Sequence, residues 1–295
     1  MSLRARSIVL LFLTAIIWGF AFVAQRIGGD ILGAFYFNGI RYALGALSLI
    51  PVILIFEKER KDPEKLKYTI KWGIVVGLIL FTASSLQQFG ILITQSAGKS
   101  GFITGLYTVL VPFIGFIFFK YRTNIFTWLG AALAVVGLFL LSFTSGVSPI
   151  GIGDLVLLIG SVFWAMHIIV IDKVGGGASS IKFSMIQFLT SSVCCLAMAI
   201  LSKETITFEA VKLAGTSILY AGIMSSGVAY TFQVIGQKHV EPSLAAIICS
   251  SEALFSAVGG ALLLGESMSM RGYFGCALMF AGIIVSQLKP KTAKN

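Results

Sequence analysis

Three charged residues stand inside long apolar stretches of this sequence: Arg41, Lys99 and Glu252. An acidic group at the middle of a lipid bilayer costs about 2.5–3.5 kcal/mol on insertion scales, so it normally faces a cavity or a partner. Glu252 therefore has two readings. It carries a proton or contacts a solute in a path through the bilayer, or it pairs permanently with Arg41 or Lys99. Arg41 reads first as structural, because a guanidinium holds carbonyls or a carboxylate bidentately. Lys99 lies near the end of its run and can snorkel to water, with a solute contact as the second reading.

Aromatic and small polar groups share that depth. At a rise of about 1.5 Å per residue, Trp18 and Trp164 both fall about 15 Å into their runs, as do Arg41, Ser84, Ser85, Tyr107, Ser225 and Glu252. Gln87 lies toward one face of the bilayer and Gln233 toward the other. His167 follows Trp164 by three residues and shares nearly the same helix face. Phe22 follows Trp18 by one turn, and Tyr230 is a further aromatic candidate. A cavity at this level combines aromatic walls with hydroxyl and amide groups, which suits neutral or zwitterionic amphipathic solutes. The competing readings are a packing histidine, core tyrosines and tryptophans of an interfacial belt.

Such residues need helices that cross a membrane, and the composition supplies them. The 295 residues are 57% hydrophobic and 12% charged, with a mean hydropathy of +0.95. Soluble domains hold roughly 45–50% apolar and about 25% charged residues. A soluble enzyme and a disordered chain are both excluded. Ten apolar runs of about 18–26 residues are legible: Ser7 to Gln25, Ile31 to Phe56, Lys71 to Thr94, Ala97 to Phe119, Ile125 to Phe143, Asp154 to Ile171, Ile181 to Leu201, Leu213 to Gly236, Ser243 to Leu264 and Gly272 to Leu288. Each can span a hydrocarbon layer of about 30 Å. The first is too long for a signal peptide and lacks a cleavage pattern, so it reads as a retained helix. Cys194, Cys195, Cys249 and Cys276 lie within apolar runs without a C-x-x-C spacing, which points to packing and to neither a metal nor a disulfide.

The net charge of +10 could suggest nucleic acid, but the charges sit where topology needs them. With the N-terminus inside, 16 Lys and Arg fall in inner segments and four, Arg26, Lys203, Lys212 and Arg271, in outer loops. This is a positive-inside pattern. It predicts a multi-pass protein of the cell (inner) membrane with both termini cytoplasmic. The basic loops meet anionic lipid heads rather than nucleic acid.

The halves repeat. An offset of 146 pairs Trp18 with Trp164, Gly29 with Gly175, Arg41 with Gln187, Gln87 with Gln233 and Gly90 with Gly236. An offset of 145 pairs Gly130 with Gly275 and Gly137 with Gly282. Five helices per half is an odd number, so the second half enters the membrane upside down. The expected fold is all-α and integral to the membrane: ten transmembrane helices in two inverted five-helix repeats, residues 1–146 and 147–295. Inverted repeats are the architecture of alternating-access carriers, with the solute site between the halves near the midplane. Gly73 and Gly77, and Gly101 and Gly105, have the spacing of close helix contacts.

Several segments resemble one family. Leu13-Thr-Ala-Ile-Ile-Trp18-Gly19-Phe-Ala-Phe22 is similar to the opening W-G-x-x-F helix of the EamA-type drug/metabolite transporters (DMT superfamily). Arg41 in Gly39-Ile-Arg-Tyr-Ala-Leu looks like the arginine of their second span. The stretch Ser96 to Pro112 resembles their fourth helix. Ser251-Glu252-Ala-Leu-Phe, followed by Leu264-Gly265-Glu266, resembles their ninth helix and its connection to the tenth. Ala253 stands where the family's E-P pair has proline, and the first half has no counterpart of Leu-Gly-Glu. The resemblance implies a carrier of small organic metabolites, often an exporter of amino acids, nucleobases or related compounds.

Enzyme readings fail on their missing partners. Gly98-Lys-Ser100-Gly101 matches a rhomboid-like G-x-S-G without its A-H-x-x-G partner. Gly151-Ile-Gly-Asp154 matches an aspartyl-protease string without its Tyr-Asp partner, and Asp154 reads better as a helix N-cap. No P-loop precedes Lys99, because the required glycine position holds Ile93. No catalytic residue, metal or cofactor is implied. The expected function is a secondary carrier of a small-molecule solute, with protons as a candidate co-substrate. The first, third, fourth, sixth, eighth and ninth spans line its path. A facilitator, an importer of a cationic or neutral metabolite, and a non-transporting scaffold are the alternatives.

Overall fold

The computed structural model describes residues 1–56, 62–94, 97–120, 123–142, 151–264 and 269–288. Among them there is no strand. The helices are α1 (Leu3–Leu32), α2 (Ala34–Phe56), α3 (Pro63–Thr94), α4 (Ala97–Gly105), α5 (Tyr107–Phe119), α6 (Ile125–Ser142), α7 (Ile152–Val174), α8 (Ser180–Leu201), α9 (Phe208–Leu213) and α10 (Gly215–Leu219). A π-helix (Tyr220–Tyr230), α11 (Thr231–Gly236), a 3-10 turn (Gln237–His239), α12 (Pro242–Cys249), α13 (Glu252–Leu264) and α14 (Met270–Ser286) complete the order. Eight helical stretches are long and apolar enough to cross a membrane, and α6 and α14 supply two shorter ones.

The expected runs are present with altered edges. The helix of the third run begins at Pro63 rather than Lys71. Asp62 explains this, since its Oδ1 accepts the backbone N–H groups of Glu64 (3.1 Å) and Lys65 (3.0 Å) and proline suits the first helical position. Asp154 is not the N-cap of α7. Gly151 holds that place, and Asp154 accepts its N–H at 2.8 Å from the third helical position. The domain edge at 146/147, the Gly265-Glu266 segment and the basic residues Lys58, Arg60, Lys61, Arg122, Lys289, Lys291 and Lys294 lie outside the described residues.

Two spans carry a matching defect. The fourth tightens at Leu106, whose N–H bonds Ile103 O three residues back (3.2 Å), and the ninth at Ser251, whose N–H bonds Ile248 O (3.1 Å). The eighth span widens instead, into 11 residues of π-helix. Gly222 and Gly227 there press on Leu44 and Ser48 of α2. π-Segments often mark functional sites.

Helices α6 and α14 pack backbone to backbone. A Cβ on Gly130 would lie 2.6 Å from the Gly282 carbonyl oxygen, and one on Gly137 would lie 2.6 Å from that of Gly275. Gly130 corresponds to Gly275 and Gly137 to Gly282 in the repeat, so equivalent helices meet antiparallel about a local two-fold. Gly73 and Gly77 of α3 likewise press on α8, at Ile186 and Thr190, whereas a Cβ on Gly101 would meet nothing within 4 Å.

Segments assigned to one side by charge also meet in space. The Ser179 N–H donates to Thr69 Oγ1 at 3.2 Å, joining the α7–α8 turn to the start of α3. At the opposite end the Glu204 carboxylate accepts the N–H groups of Phe35 (3.2 Å) and Tyr36 (2.9 Å), joining the loop after α8 to the start of α2.

Candidate functional site

The helices surround a cavity of about 30 Å³, room for about one water. Four pairs of repeat-related residues line it: Trp18 with Trp164, Phe22 with Ile168, Gln87 with Gln233, and Tyr107 with Glu252. The cavity therefore straddles the relation between the halves.

Its aromatic wall is built around Tyr230. That ring lies 4.6 Å from Trp18 and 6.3 Å from Trp164, centroid to centroid, nearly parallel to the latter at 22°. Trp18 Nε1 donates to the Ser225 carbonyl at 3.3 Å. The tryptophans are 8% exposed, facing the cavity rather than an interfacial belt. Phe22 extends the same wall one turn along α1.

The two charges on the cavity have separate partners. Tyr107 donates its hydroxyl to Glu252 Oε1 at 3.2 Å. Arg41 Nη2 donates to the Tyr42 hydroxyl at 3.0 Å, with the guanidinium 4.6 Å over the Tyr42 ring. Arg41 is 2% exposed, and its Nε has no acceptor. Trp164 Nε1, Thr104 Oγ1, Gln25 Oε1 and Gln233 Oε1 also line this cavity without hydrogen-bond partners. Leaving a buried polar group unpaired costs about 1–3 kcal/mol. Donors and acceptors of this kind, gathered on aromatic walls, can hold a small polar molecule.

The structure thus brings Trp18, Phe22, Arg41, Gln87, Tyr107, Trp164, Ser225, Tyr230, Gln233 and Glu252 to one cavity. Ser84 and His167 stand off it. Each is three residues from a lining residue, about 60° around the helix. Ser84 Oγ donates to the Phe81 carbonyl at 3.3 Å. His167 Nε2 pairs with Gln187 Oε1 at 3.1 Å, and its ring stands edge-on behind Trp164 and Tyr230. Lys99 belongs to α4, but its side chain lies outside the described ones. The sequence reading missed Gln25, Thr104 and Ile168. Gln25 lies one turn past Phe22 and Thr104 one turn before Tyr107, so a helical stripe would have found both. Ile168 carries no polar group, but the 146-residue offset makes it the counterpart of Phe22. The second span also reaches the cavity, through Arg41. Among the described residues no three His, Cys, Asp or Glu side chains are grouped to hold a metal ion.

The EamA-like transporter family model matches residues 5–143 and again residues 151–287. The chain belongs to the EamA-like transporter family. Relatives carry compatible names. An uncharacterized transporter of Archaeoglobus fulgidus is 26% identical over 277 residues, 94% of this chain and 84% of its own length. The uncharacterized transporter YoaV of Bacillus subtilis is 24% identical over 92% of this chain and 93% of its own. The uncharacterized inner membrane transporter YedA of Escherichia coli is 22% identical over 94% and 89%. A crystal structure shares the fold, with a TM-score of 0.80 over 96% of this chain and 97% of its own at 16% identity. This EamA-like protein is a multi-pass membrane transporter built on a duplicated helical fold, not an enzyme, and its cargo is a small molecule.

Proposed function

We propose that this EamA-like transporter is a secondary, non-ATP carrier that exports a small amphipathic organic solute, such as an amino acid or a related compound. Its units are the repeats 1–146 and 147–295, inverted in the inner membrane with both termini cytoplasmic. They rock about the central cavity and expose it to each side in turn. The antiparallel meeting of Gly130 with Gly282 and of Gly137 with Gly275 supports that inversion.

The observation that carries the solute class is the set of unpaired groups among the residues that line the cavity. Arg41 Nε and Trp164 Nε1 are donors awaiting an acceptor; Gln25 Oε1 and Gln233 Oε1 are acceptors awaiting a donor. A zwitterion or a neutral polar solute satisfies both kinds, while the rings around Tyr230 cover its apolar part. Ligand pockets hold about 300–1,000 Å³, so on this reading the cavity of about 30 Å³ widens to load. Protons are the proposed coupling ion, taken up at Glu252 and released when the site changes sides.

Purified protein in proteoliposomes tests this with pools of labelled amino acids, nucleobases and choline-like cations, with and without a pH gradient, beside Glu252→Gln. Saturable, pH-driven flux of one pool, lost in the variant, supports the coupled carrier. Flux that ignores pH and survives the substitution makes the protein a facilitator. No flux from folded protein removes the carrier reading in favour of a scaffold.

A further inference from the structure

Toward each end of the central cavity the same kind of bond joins neighbouring helices. On the 3-10 turn, Gln237 donates its Nε2 to the Ile168 carbonyl of α7 at 3.0 Å. On α3, Gln88 donates its Nε2 to the Gln25 carbonyl of α1 at 3.1 Å. Ile168 and Gln25 both line the central cavity, so each glutamine ties a cavity wall to the helix beside it.

The two bonds lie at opposite ends of the molecule. Gly236, next to Gln237, packs on Leu11 and the Ser7 carbonyl near the start of α1. Gln25 comes 14 residues after Leu11, about 21 Å further along the helix. The segments joined are related by the repeat, α1 with α7 and α3 with the segment through α11, although the 146-residue offset assigns Val234 to Gln88 and Ile171 to Gln25, three residues from Gln237 and Ile168.

Both amides are half-satisfied. Gln88 is 0% and Gln237 is 3% exposed, and in each the Oε1 has no partner. Releasing such a group gives up one hydrogen bond rather than a network. Gln237 also lines a second, polar cavity of about 450 Å³ beside Asp172 and Glu241. The Gln237–Ile168 bond therefore joins a residue that lines this vestibule to one that lines the central cavity.

We propose that Gln237 and Gln88 are the latches of the transport path, closing the central cavity at the vestibule end and at the opposite end, and releasing in turn. The inference rests on the alternating-access reading, but its test needs no substrate. Ser225→Cys places a reporter on the cavity wall of a protein with Cys194, Cys195, Cys249 and Cys276 replaced by alanine. A membrane-impermeant maleimide is applied from either side of oriented vesicles, and Lys238→Cys identifies the vestibule side. Gln237→Met is expected to raise reporter labelling about fivefold from the vestibule side alone, the change that loss of about 1 kcal/mol of hydrogen bonding produces. Gln88→Met is expected to raise it from the other side alone. Where a methionine variant does not fold, asparagine, whose amide is one carbon too short to reach, gives the same readout. An equal rise from both sides, or none in folded protein, overturns the latches. Side-specific labelling in a protein that moves no solute supports the latches and sinks the carrier reading instead.

Discussion

Tyr107 and Glu252 lie 145 residues apart, at equivalent places in the two halves, and they touch: the phenol donates to the carboxylate at 3.2 Å. Each follows the tightened turn of its span, at Leu106 and at Ser250–Ser251. The repeat thus matches the two residues in position and divides them in chemistry, one as donor and the other as acceptor. A bond across a local two-fold is a natural place to register relative motion of the halves.

Replacing Tyr107 by Phe deletes the donor and keeps the ring. We expect a loss of about 1 kcal/mol, a fall in melting temperature of about 2–4 °C, and an altered pH dependence of flux. Glu252→Gln retains an acceptor for the phenol, so it should melt near the parent temperature while losing pH-driven flux. Equal thermal losses in the two variants would contradict the assigned bond.

Tyr230 holds the aromatic wall together, touching Trp18, Trp164 and Phe188. Tyr230→Phe keeps the ring and gives up only the hydroxyl's hydrogen bond with Tyr42, and should cost about 1 kcal/mol. Tyr230→Ala removes a large buried ring and should cost about 3–5 kcal/mol. Scanning calorimetry of the detergent-solubilised protein compares them, and similar melting of the two would show that the ring is not a packing centre.

Substitution at the α6–α14 contact should be severe. A leucine at Gly137 meets the Gly275 carbonyl and Met279 at 2.6 Å from its Cβ alone, and overpacking costs about 1–3 kcal/mol or more. Gly137→Leu should give little monodisperse protein on size exclusion. Gly101→Ala, with nothing within 4 Å, should behave as the parent.

Glu204 caps the start of α2. Its carboxylate accepts the Phe35 and Tyr36 N–H groups, and the turn before them needs Gly33 at φ +80°. Glu204→Ala should cost about 1 kcal/mol, the usual worth of a helix cap, read as an earlier thermal transition. Glu204→Gln keeps an acceptor and should lose less.

Orientation has its own check. Exposed Lys203 and Lys238 stand on segments assigned to opposite sides. Cysteine at Lys203 should react with impermeant reagent from outside intact cells, and cysteine at Lys238 only in inverted vesicles. The reverse pattern would invert the whole arrangement.

The apolar runs, the basic loops and the 146-residue repeat are legible in the linear chain because a membrane helix must satisfy its own backbone hydrogen bonds. Each span is therefore a local property, readable from composition and length. The repeat likewise placed Trp18 with Trp164 and Gln87 with Gln233 before any contact was known. The rotation of each helix about its own axis is different, since it is set by neighbours such as the glycines of α6 and α14. That rotation carried Gln25, Thr104 and Ile168 onto the cavity and turned Ser84 and His167 behind it. It also gave Glu252 to Tyr107. Which buried groups meet depends on packing between segments far apart in the chain, and only the tertiary structure decides it.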